Sequence, residues 1–97
     1  MNFLQQLAAT AIRNQVISAL RANCPAALTA ALEQLLGDEN AINTIRDFVM
    51  GNLKNPSSLT AEAFSALPYS EKTRELLSHT PALASYLAEI AHSKLPR

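Results

Sequence analysis

Apolar residues recur at spacings of three and four along almost the whole chain, and each such run is closed by a proline or a glycine. A repeat near 3.6 residues turns one stripe of a helix toward a core. Breaks at Pro25, Gly37, Pro56, Pro68 and Pro81 divide the chain into segments that suit short helices. The kind of apolar residue agrees with the spacing. Alanine and leucine supply 17 and 15 positions, whereas valine and isoleucine together supply 7. Leucine and alanine lose little side-chain freedom in a helix, and the β-branched residues that suit a sheet are scarce. A chain of 97 residues buries about 60–70% of its unfolded surface around one core. The expected fold is therefore all-α, a compact bundle of five to six short amphipathic helices in a single domain over 1–97.

The longest segment, 3–22, departs from the one-faced pattern. At 100° per residue Phe3, Leu4, Leu7 and Ala11 fall on one side, while Ala9, Ile12, Val16, Ala19 and Leu20 fall nearly opposite. Asn14, Gln15 and Ser18 continue the first side as uncharged polar positions. The Ile12, Val16 and Leu20 side is expected to dock into the core. Phe3, Leu4, Leu7 and Ala11 are then left to meet another surface. The segment also carries no acid: the first acidic residue is Glu33, and Arg13 and Arg21 are the charged side chains before it. Low acid content with amphipathicity is a trait of transit peptides and of helices lying on a membrane, but two arginines are few for either role.

The remaining elements are read from their caps. Pro25 suits the first position of a second helix, with Asn23 or Cys24 placed to cap it and Leu28, Leu32, Leu35 and Leu36 as its stripe. Gly37 is expected to end that helix in a left-handed conformation. Asp38 or Asn40 caps a third helix whose stripe is Ala41, Ile42, Ile45, Phe48, Val49 and Leu53, ending between 51 and 55. Leu59, Thr60 and Phe64 read as a hydrophobic staple around a Thr N-cap, opening a fourth helix that Pro68 closes near Leu67. Ser70 caps a fifth helix, and Tyr69 anchors the corner before it. Thr80 with Pro81 starts a sixth, running to about His92, after which 93–97 frays. Helices one, three and six are the longer elements of an antiparallel bundle, with four and five as a corner.

Eight basic and eight acidic side chains cancel, which disfavours a partner recognised by net charge, such as nucleic acid or an anionic membrane. No apolar run approaches the roughly 20 residues of a membrane span. Cys24 is the single cysteine, so an intramolecular disulfide is impossible, a reducing compartment is favoured and the cytoplasm is the expected location. A thiol near a helix start is a candidate nucleophile, but nothing places His79 or His92 beside it as a base. Those two histidines lack a third soft ligand for a metal. Glu71 and Glu75 lie beside Lys72 and Arg74 as a solvated ionic face, not a catalytic dyad. Asp38, Glu39 and Asn40 lack the glycine and distal glutamate of a calcium loop, and two glycines are too few for a phosphate cradle. No catalytic residue, cofactor, metal or small-molecule substrate is expected.

Two function classes remain. The leading expectation is a small non-catalytic protein-interaction module of the adaptor, chaperone, inhibitor or immunity type, whose partner is another protein or a second copy of itself. Its contact residues are Phe3, Leu4, Leu7 and Ala11. The alternative is a nucleic-acid-binding regulator that uses the helix–turn–helix outline at 60–79, with Lys72 and Arg74 on phosphates. Glu71 and Glu75 oppose that attraction, and Pro68 occupies a turn where glycine is usual.

Overall fold

A computed structural model of the chain describes residues 3–94, the side chains of Phe3 and Gln5 excepted. The helix expected over 3–22 forms over that range as α1 (Phe3–Ala22). It is followed by α2 (Thr29–Leu36), α3 (Glu39–Gly51), α4 (Ala61–Ser65), α5 (Glu71–His79) and α6 (Pro81–Ser93), with 3₁₀ turns at Ala26–Leu28 and Pro56–Ser58. The described residues form an all-α bundle, with α1, α3 and α6 as its longer members. Of the end expected to fray over 93–97, Ser93 is still helical and Lys94 caps α6, whereas 95–97 lie outside the described residues.

The apolar stripes meet as the spacing requires. The α6 stripe of Leu83, Tyr86, Leu87 and Ile90 is buried, and α6 packs on α1, α4 and α5. Val16 and Leu20 of α1 and Ile45 and Val49 of α3 close the other side of the core. Phe64, from the five-residue α4, is fully enclosed and meets Phe48 edge-on with ring centroids 5.1 Å apart. A helix of one turn and a half is marginal by itself. α4 persists because Phe64 is locked into the core, and the Cα radius of gyration of 12.7 Å matches the roughly 12.5 Å of a compact chain this long.

Helix starts are closed by local side chains, as the sequence indicates. Asp38 accepts from the Asn40 and Ala41 amides, Thr60 from the Ala63 amide and Ser70 from the Thr73 amide. The start of α2 is different from expectation. Neither Asn23 nor Cys24 caps it: Asn23 turns back to donate from Nδ2 to the Ala19 carbonyl at 2.8 Å, and the Cys24 thiol lies 3.3 Å from the Pro25 carbonyl. Pro25 is extended, with φ −61° and ψ 145°, so the chain passes through the 3₁₀ turn before α2 begins.

Helix ends show a common solution. No described residue has a positive φ. Gly37 is right-handed, with φ −77° and ψ −10°, and not left-handed as its position suggested. Only Gly37 and Asp38 separate α2 from α3, and right-handed turns satisfy the final carbonyls through Gly37 N–H to Glu33 and Asp38 N–H to Leu35, both at 3.0 Å. Elsewhere side chains supply the donors. Asn52 Nδ2 reaches the Phe48 carbonyl at 2.8 Å, the Tyr69 hydroxyl the Phe64 carbonyl at 2.5 Å, and the Tyr86 hydroxyl the Leu20 carbonyl at 2.6 Å. Burial raises the pKa of both tyrosines, which keeps these hydroxyls protonated as donors.

Candidate protein-interaction surface

The core takes hold of α1 only from its middle onward. Val16 and Leu20 are buried, Ile12 and Ala19 pack partly against the core, and Ala9 is half-buried. Before Ala9, the described side chains of Leu4, Gln6, Leu7 and Ala8 are all exposed. Leu4 and Leu7 are 68% and 52% exposed, and they are the exposed large hydrophobics among the described residues. Ala11 follows on the same side and is also exposed. The structure thus brings Leu4, Leu7 and Ala11 onto one uncovered stripe, while the side chain of Phe3 lies outside the described residues.

The stripe continues beyond its apolar part. Asn14 and Ser18 are exposed, and with Leu4, Leu7 and Ala11 they fall at alternating spacings of three and four. That is the seam spacing of helices that pair along their length. None of the five is ionisable.

The charges of α1 lie beside the polar end of this seam: Arg13 Nη1 donates to Asn14 Oδ1 at 3.3 Å, and Arg13 and Arg21 line a groove with Asn14 and Ser18. Arg13 forks onto Glu39, with Nη2 2.7 Å and Nε 3.0 Å from Oε2, and Arg21 grips Glu33 through Nη2 at 3.0 Å and Nε at 3.1 Å. The Glu33 carboxylate raises the Arg21 pKa through the hydrogen bond and the charge. Exposed pairs of this kind add little stability. Their consequence is electrical: each arginine of α1 is paired with a glutamate, Arg13 with Glu39 and Arg21 with Glu33. Sequence periodicity locates the stripe, but these pairings join positions 26 and 12 apart and have no local signature.

Other chemistry-bearing groups are engaged in the fold. A shallow notch at the α2–α3 junction is lined by Glu33, Asp38, Glu39, Ser70, Lys72 and Thr73. The Asp38 carboxylate in its lining accepts from Thr73 Oγ1 at 2.6 Å and Ser70 Oγ at 3.2 Å besides the two α3 amides. The Thr73 hydrogen bond is the largest cause holding Asp38 below the ordinary aspartate value. The notch is where one carboxylate ties together the starts of α3 and α5. Cys24 is half-buried against the core, His79 is exposed at the end of α5, and His92 Nε2 lies 2.9 Å from the Leu59 carbonyl. Among the described residues no three His, Cys, Asp or Glu side chains are grouped to hold a metal ion, and no helix is long and apolar enough to cross a membrane.

Lys72 and Arg74 are both exposed, but two positions apart on α5 they point to opposite sides. Lys72 lines the acidic notch, and Arg74 Nε donates to the Tyr69 carbonyl at 3.2 Å. They do not form a shared basic face. Glu71 and Glu75 are exposed beside them. No family model matches this chain, and neither the curated proteins nor the solved structures yield a match.

Proposed function

We propose that the protein is a small, non-catalytic protein-interaction module of the cytoplasm that works by presenting the exposed Leu4, Leu7 and Ala11 stripe of α1 to a helical or apolar protein surface. The observation that carries this reading is the exposure of Leu4 and Leu7, three positions apart on one side of α1. Burying one such leucine contributes about 1.5–3 kcal/mol, so leaving two in water on one stripe is a standing cost that a partner removes. The uncharged surroundings favour a partner recognised by shape and apolar contact over one recognised by charge.

The reading is tested in the producing cells. A photo-crosslinking residue is placed at Leu7 or Ala11, and as controls at the exposed Glu62 and Ser65 of α4. Discrete protein adducts, of any identity, are expected from the α1 positions and not from the α4 positions. Equal or absent crosslinking from both would overturn the reading.

A further inference from the structure

We draw no further inference here: the strongest candidate, the exposed surface patch of Leu4, Leu7 and Ala11 on α1, is an unpartnered apolar face, and nothing in the structure shows what covers it.

Discussion

The Tyr86 hydroxyl donates to the Leu20 carbonyl at 2.6 Å, joining α6 to the last turn of α1 across 66 positions of sequence. Leu20 is 1% exposed, so its carbonyl has no access to water, and the last turn of α1 has no left-handed residue to supply an amide. Tyr86→Phe removes the donor and keeps the ring. The expected loss is about 1–2 kcal/mol, the cost of an unsatisfied buried acceptor, or roughly 5–15 °C in Tm for a domain of this size. Thermal unfolding followed by circular dichroism checks it, and a shift within 2 °C would contradict the account. Burial raises the Tyr86 pKa from its ordinary 10.0. The unfolded chain therefore ionises first, stability falls above about pH 10, and Tyr86→Phe is expected to reduce that alkaline fall.

Asp38 offers a second test, with the opposite sign in pH. Its carboxylate serves two helix starts at once, accepting from the Asn40 and Ala41 amides of α3 and from Ser70 and Thr73 at the start of α5. Its folded pKa lies below the ordinary 3.8, so the stabilisation is fully present above that value and is lost as pH falls through the depressed folded value. Asp38→Ala is expected to cost about 1–2 kcal/mol at pH 7, as a lost N-cap with one added tertiary bond. The difference from the parent should narrow steadily below about pH 4. Urea unfolding at pH 7, 5, 4 and 3 measures it, and a gap independent of pH would show that the charge is not involved.

What was legible in the sequence was what neighbours along the chain decide. The bounds of α1, the Thr60 and Ser70 caps, and the burial of Leu59 and Phe64 all follow from side chains within five positions of one another. The exposed Leu4, Leu7 and Ala11 stripe was legible for the same reason, since helical periodicity is local. Three features were not. Gly37 was assigned a left-handed turn because glycine after a leucine stripe usually takes one, yet only Asp38 separates it from α3 and a right-handed turn already satisfies the carbonyls. Asn23 was placed to cap forward, but it turns back onto Ala19. The Arg13–Glu39, Asp38–Thr73 and Tyr86–Leu20 bonds depend on how the helices pack, which no single stripe encodes.

The right-handed Gly37 has a measurable consequence. Alanine adopts its backbone conformation freely, and an added Cβ would meet the Gln34 and Glu33 carbonyl oxygens at 3.4 and 3.5 Å, ordinary contact distances. Gly37→Ala is therefore expected to raise stability by about 0.4–1 kcal/mol, by narrowing the freedom of the unfolded chain. A left-handed glycine would give a loss of about 1 kcal/mol or more at the same substitution. Gly51→Ala, where a Cβ meets nothing within 4 Å, should give a gain of similar size at the end of α3. Denaturant midpoints of the two variants decide the matter, and destabilisation by Gly37→Ala would refute the right-handed assignment.

The change from exposed to buried side chains along α1 sets a gradient of local stability in one helix. Amides from Leu7 to Ala11 lie in turns whose side chains are mostly exposed, whereas those from Val16 to Leu20 lie where the helix is fastened by buried side chains and by the Tyr86 bond. Opening the first group breaks helical hydrogen bonds but exposes almost no core; opening the second requires the core to part. In dilute protein the first group is expected to exchange with solvent deuterium at least about a hundredfold faster than the second, a difference of about 2.7 kcal/mol in opening free energy. Uniform protection along α1 would show that the first group is anchored by contacts other than these.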